Sequence, residues 1–161
     1  MTQSHNFDPV YDKKSRVLIL GSFPSVKSRE IAFYYGHPQN RFWKVLGSVF
    51  NEEVPKDIEG KKSFLLKHHI ALWDVIKSCD IVGSSDSKIS NVVINDLNLI
   101  FQEANIEKVF INGTKAYELY MKYGYEKYKK EAIKLPSTSP ANAVYSLDKL
   151  KEKWKIIKTS E

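Results

Sequence analysis

The chain has 161 residues, 42% hydrophobic and 27% charged, with a formal charge of +6 and a pI near 9.2. That length suits one soluble α/β-sized domain with a proper core, and the basic balance favours a polyanionic partner. No apolar run reaches the ~18 residues of a membrane span, and Cys79, the lone cysteine, leaves no disulfide framework and no four-cysteine iron–sulfur or zinc site. Residues 1–14 read as a polar N-terminal extension without the apolar core of a signal peptide, which fits a cytoplasmic protein.

In chain order, "RVLILG" (Arg16 to Gly21) is a continuous apolar run stopped by glycine, the pattern of a buried central strand. Pro38 to Phe50 reads as a helix burying Phe42, Val45, Leu46 and Val49, with Trp43 in the core. Ile70 to Trp73 forms a second strand, followed by a loop "DVIKSCDIVGSSDS". The stripe Ile89, Val93, Leu97, Ile100 and Ala104 predicts a second helix. "KVFING" (Lys108 to Gly113) is a third strand, and Thr114 is positioned to cap a helix carrying Ala116, Leu119 and Tyr120. "EAIKLPS" (Glu131 to Ser137) is the fourth strand, and Leu147, Leu150, Trp154 and Ile157 stripe a last helix. Strands alternating with helices imply a three-layer α/β/α domain around a short, mostly parallel four-stranded sheet.

In such a sheet ligands bind outside the carboxyl ends of the strands. The polar residues of interest sit on the loops that leave those ends: "GSFPS", "NGTKA" and "LPSTSPAN", with "YYGHPQNRFW" leading into the first helix. Rigid scaffolds carry function on such loops. Tyr34 or Tyr35 could offer a ring to a base, a contact worth roughly 1–3 kcal/mol. Ser137, Thr138 and Ser139 could grip phosphate through uncharged hydrogen bonds. Each also has a plainer reading: a proline turn, a loop histidine at His37, an Asn-Gly turn at Asn112. Asp74 and Asp86 read as structural caps or turns that could line a site. No metal constellation is visible, and no cofactor is expected.

Taken together, the loops resemble the uracil-DNA glycosylase superfamily. "GHPQNRFWKVL" is similar to a segment of mismatch-specific uracil glycosylases. The closer similarity is to the hypoxanthine-DNA (deoxyinosine) glycosylase branch, carried by "GSFPS", "YYGHPQNRFW", "ALWDVIKSCDIVGSSDSKI" and "LPSTSPAN". Those segments spread from Gly21 to Asn142. Two departures stand out. Ser22 occupies a place where many members carry a water-positioning Asn or Asp, and the wedge leucine of some relatives gives way to Asn142 and Ala143.

The resemblance implies a single monofunctional DNA glycosylase domain over residues 1–161 and hydrolysis of an N-glycosidic bond, with hypoxanthine or uracil as the departing base. The base must first leave the duplex stack. Asn40 is then the catalytic candidate, its carboxamide oxygen orienting water. Ser22, Phe23, Tyr34, Tyr35, His37 and Asn112 are the base-binding candidates. Ser137, Thr138, Ser139, Pro140 and Asn142 are the DNA-binding ones. The expected partner is DNA containing a deaminated base, with no membrane, met by a monomer. A noncatalytic nucleic-acid-binding module and a nucleotide-acting α/β hydrolase remain the alternatives.

Overall fold

A computed structural model describes residues 2–4, 8–22, 34–36, 39–81 and 89–160, of which 2–4, 78–81, 89–91, 159 and 160 are described by backbone alone. Strands β2 (Val17–Gly21), β3 (Ile70–Asp74), β6 (Lys108–Asn112) and β7 (Ala132–Leu135) form one sheet in the order β3-β2-β6-β7, all parallel. Helices pack against this sheet, as the three-layer α/β/α arrangement requires. They are α1 (Phe42–Val49), α2 (Ile58–Lys67), α3 (Asn98–Glu103), α4 (Thr114–Tyr123), α5 (Tyr125–Tyr128) and α6 (Leu147–Trp154), the last continued by a 3-10 turn, Lys155–Ser160. No described helix is long and apolar enough to cross a membrane.

Burial explains the unbroken apolar run in β2. The strand lies between β3 and β6, and Leu18, Ile19 and Leu20 are fully covered on both faces. Phe42, Val45, Leu46 and Val49 bury the expected face of α1, and Phe42 meets Trp154 edge-on, bringing α1 against α6. Ser146 caps α6 by accepting from the Lys149 N–H.

Three local expectations give way. The stripe from Ile89 is not one helix: Ile89–Ile94 is strand β5 and the helix starts only at Asn98. Positions four apart share a face in either structure, so the spacing could not separate the two, and the β-branched run decided for a strand. Val93 is accordingly 51% exposed. The described part of the loop expected after the second strand is largely strand as well. β4 (Ile76–Ile81) pairs antiparallel with β5 and with β1 (Thr2–Ser4), making a second sheet in the order β1-β4-β5. The polar N-terminal extension is thereby tied into the fold, and Val10 sits in the core, exchanging two backbone hydrogen bonds with Leu72. Thr114 opens α4 without capping it, because Gly113 precedes the helix at φ 98°. Helix α2 has only Phe64 and Leu65 buried, too sparse a stripe to announce itself in the sequence; Asp57 caps its start.

Candidate active site

The chain leaves β2 toward β3 on one side and leaves β6 toward β7 on the other. A crevice opens between two strands whose connections diverge in this way, at their carboxyl ends. Gly21 ends β2 there with Ser22 just after it, Asn112 ends β6, Asp74 ends the flanking β3, and the loop that starts at Pro136 follows β7.

Three polar side chains from three separate segments lock together at this point. Thr138 donates its backbone N–H to Asn112 Oδ1 at 3.0 Å. Asn112 Nδ2 donates to the Thr138 hydroxyl at 3.0 Å, and that hydroxyl donates to Asn40 Oδ1 at 2.8 Å. Asn40 Oδ1 also accepts the Phe42 N–H at 2.9 Å, at the entry to α1. A backbone N–H can only donate, so this bond fixes which end of the Asn40 carboxamide is oxygen. Nδ2 is the end left without a protein partner among the described residues. Thr138 is fully buried. It faces Asn40 and Asn112 instead of the phosphate position expected of it, its hydroxyl bridging the two amides.

The two tyrosines divide. Tyr34 is 2% exposed, its hydroxyl donates to the Asp8 carbonyl and its own carbonyl accepts from Trp43 Nε1. It braces the core and offers no ring for a base to stack on. Tyr35, at φ 54°, is stacked on Phe42 with ring centroids 4.0 Å apart. Its hydroxyl is buried and completes no well-formed hydrogen bond among the described residues, although the Asn112 amide lies near enough to oppose part of the rise in its pKa. Burial first, and then the charge of Asp74, hold this phenol above its ordinary value, so it stays a neutral donor. Asp74 is 4% exposed, and its carboxylate and the Tyr35 hydroxyl crowd the α-carbon of Gly21. A methyl group there would lie 2.4 Å from Asp74 Oδ1 and 2.7 Å from the Tyr35 oxygen, so only glycine lets the three converge.

The loop from Pro136 is stiff for reasons that go beyond proline. The Ser137 hydroxyl accepts from Ser139 N, the Ser139 hydroxyl from Ala141 N, and Asn142 Nδ2 donates to the Ser137 carbonyl. Trp154 Nε1 holds the Pro136 carbonyl at 3.0 Å. A methyl group on Gly113 would lie 3.1 Å from Ser137 Cβ, so glycine lets the end of β6 approach the loop closely. As acceptors inside the loop, both serine hydroxyls keep their own protons to donate outward. Ser137, Ser139 and Asn142 line an open groove of about 640 Å³ together with Lys134, Lys153 and Tyr145. Just beyond it Val144 is 81% exposed.

Sequence reasoning missed three supports. Arg41 grips the loop, Trp154 holds Pro136, and buried Asn95 donates to the Asp74 and Ile76 carbonyls, which fixes the corner carrying Asp74. Each binds main-chain carbonyls, a role that leaves little trace in residue type. Phe23, His37 and Asp86 lie outside the described residues. Among those described, no group of three metal-ligating side chains occurs.

Known proteins share this architecture. A protein named hypoxanthine DNA glycosylase from Methanosarcina acetivorans is 37% identical over 156 residues, covering 94% of this chain and 95% of its own. One of the same name from Methanosarcina barkeri is 36% identical over 118 residues, covering 72% and 75%. The solution NMR structure of a Methanosarcina acetivorans protein, provisionally called a uracil DNA glycosylase, superposes with a TM-score of 0.83 at 34% identity over 99% of this chain and 98% of that one. The family model of the uracil DNA glycosylase superfamily matches residues 9–160, and the chain belongs to that superfamily.

Proposed function

We propose that the protein removes a deaminated base from DNA by hydrolysing its N-glycosidic bond, with hypoxanthine in deoxyinosine as the preferred substrate. The observation that carries this reading is the Asn112–Thr138–Asn40 linkage. It joins the end of a central strand, the loop beside the groove and the entry to α1 at the crevice where an α/β sheet binds its ligand. The names and identities of the two Methanosarcina relatives favour hypoxanthine.

In this reading the bond from C1′ to the base nitrogen breaks and its electron pair leaves with the base. Water adds to the oxocarbenium-like sugar, and its proton passes to the departing base. Departure of the base is the demanding part, so donors aimed at the leaving group matter most. The neutral, buried Tyr35 hydroxyl is one such donor, suited to a base carbonyl oxygen. Asn40 Nδ2 faces the reacting atoms and holds the water, while its oxygen is spent on Thr138 and Phe42. Ser22, Phe23, His37 and Asn112 complete the base pocket. Ser137, Ser139, Pro140 and Asn142 meet the backbone of the DNA, and Thr138 acts behind them as a strut. Val144, a bare apolar side chain at the rim, fills the stack where the base has left. The protein works as a monomer in the cytoplasm, where a lone Cys79 suits a reducing medium.

Duplexes carrying deoxyinosine, deoxyuridine, deoxyxanthosine or no lesion, each incubated with excess protein, test this. Abasic sites should form fastest at deoxyinosine. Binding without abasic sites on any duplex would reject the enzyme, and cleavage of a free nucleotide alone would reject the DNA substrate.

A further inference from the structure

The loop beside the groove, "LPSTSPAN", carries no charge of its own. Beneath it lies the guanidinium of Arg41. Arg41 donates its backbone N–H to the Thr138 carbonyl at 3.1 Å and Nε to the same oxygen at 3.4 Å. One terminal nitrogen bonds the Tyr145 carbonyl, and the other bonds the carbonyls of Ser139 at 2.8 Å and Asn142 at 3.1 Å. Four carbonyls from a single loop thus converge on one guanidinium. Among the described residues no carboxylate neutralises it.

Five N–H groups in a rigid fork suit arginine to this task, and lysine cannot reproduce it. We propose that Arg41 is the positioning residue of the DNA-gripping loop. It draws the carbonyls inward, which turns the Ser137 and Ser139 hydroxyls toward the groove that receives phosphate. The proposal rests on the glycosylase reading for its substrate, but the loop geometry stands without it.

The neighbours of Arg41 show why the effect should reach the chemistry. Asn40 takes the Thr138 hydroxyl, Arg41 takes the Thr138 carbonyl, and Phe42 is anchored by the rings of Tyr35, Trp43 and Trp154. Three consecutive residues therefore hold the loop to the core. Releasing the middle one frees the loop first and the Asn40 carboxamide second. Loss should appear mainly in affinity for lesion DNA and less in the rate at saturating protein.

Arg41→Lys and Arg41→Ala are the variants, studied as full-length protein. Lysine keeps the charge and reaches one carbonyl at a time, so it also serves if the alanine variant does not fold. Both should bind deoxyinosine duplex about tenfold or more weakly, since hydrogen bonds to charged groups are the strong ones. The slope of log affinity against log salt should hold steady, because Arg41 touches carbonyls and no phosphate. Methylguanidinium should partly restore Arg41→Ala and leave wild type unchanged. Amide exchange across residues 139–145 should quicken in Arg41→Lys without any DNA present. Wild-type affinity in both variants, or unchanged exchange of those amides, would overturn the proposal. So would a slope reduced by about one, which marks a direct phosphate contact. If wild type cleaves no deaminated base, the glycosylase reading fails, and the exchange comparison still decides the role of Arg41.

Discussion

The parallel sheet has a concavity at each end, and the two are built differently. At the amino ends of the strands, Lys13, Lys14, Arg16, His69 and Glu107 surround about 370 Å³. At the carboxyl ends, the groove of about 640 Å³ is walled by two serines, a proline and an asparagine, with Lys134 and Lys153 at its side. The amino end has the denser charge, yet its lysines Lys13 and Lys14 are exposed side chains in screening solvent. The carboxyl end has short polar groups that are already oriented by one another. Chemistry needs dipoles fixed before the reaction starts, so the less charged end is the better place for it.

The largest expected effect separates the two ends cleanly. Asn40→Ala should lower single-turnover cleavage of deoxyinosine DNA by about 10² or more, the common cost of one positioned polar group. DNA affinity should fall far less than cleavage, the smaller loss reflecting the Thr138 hydroxyl that Asn40 also holds. Cleavage near the wild-type rate would move catalysis to Asp74 or Ser22. Next in size is the Ser137→Ala, Ser139→Ala double variant. Two neutral hydrogen bonds are worth about 1–3 kcal/mol, so lesion affinity should fall roughly 5- to 150-fold. Affinity for undamaged duplex should change little. The same hydroxyls accept from Ser139 N and Ala141 N, so a lower melting temperature is expected as well. A stability loss with an unchanged ratio of lesion to undamaged affinity would reduce both serines to loop supports.

This contrast between ends also marks what the sequence could tell. Strand β2, the buried face of α1 and the sheet class follow from periodicity and composition, since burial selects residue type directly. Thr138 and Asn40 stood out as polar residues in motif segments, but nothing in their identity revealed that one bonds the other across 98 positions of chain. Arg41 was legible only as a basic residue, because its partners are main-chain carbonyls that every residue possesses. Tyr34 and Tyr35 are adjacent and alike in sequence. Only the backbone at φ 54° sends Tyr35 to Phe42 and Gly21 while Tyr34 turns into the core. The β4–β5 hairpin was hidden by a spacing that serves helix and strand alike.

Charge at the two ends gives a smaller test. Lys134→Ala and Lys153→Ala should each weaken duplex binding a few-fold and lower the salt slope by about one, if each lysine meets a phosphate. Lys13→Ala and Lys14→Ala should leave both quantities unchanged. Equal slopes for all four variants would mean that DNA wraps the molecule without preferring the carboxyl end.

The smallest effect concerns alkaline pH, where two tyrosines part company by location. Tyr120 lies on α4, away from the crevice, and its hydroxyl donates to the Lys130 carbonyl at 2.7 Å. Burial, and then the neighbouring Tyr128, push this phenol up to about 12 from an ordinary 10. The unfolded chain therefore loses this proton before the folded one does. Stability from Tyr120 is intact below pH 10 and is lost as pH climbs from about 10 toward 12. Tyr120→Phe removes that titration, so urea unfolding midpoints should decline less steeply across this window than in wild type. Cleavage at neutral pH should be unaffected by the change. Tyr35→Phe should do the opposite at neutral pH, slowing cleavage while its own alkaline titration lies higher still. If Tyr120→Phe slowed cleavage as much as Tyr35→Phe, the buried hydroxyl at the crevice would have no special claim on the departing base.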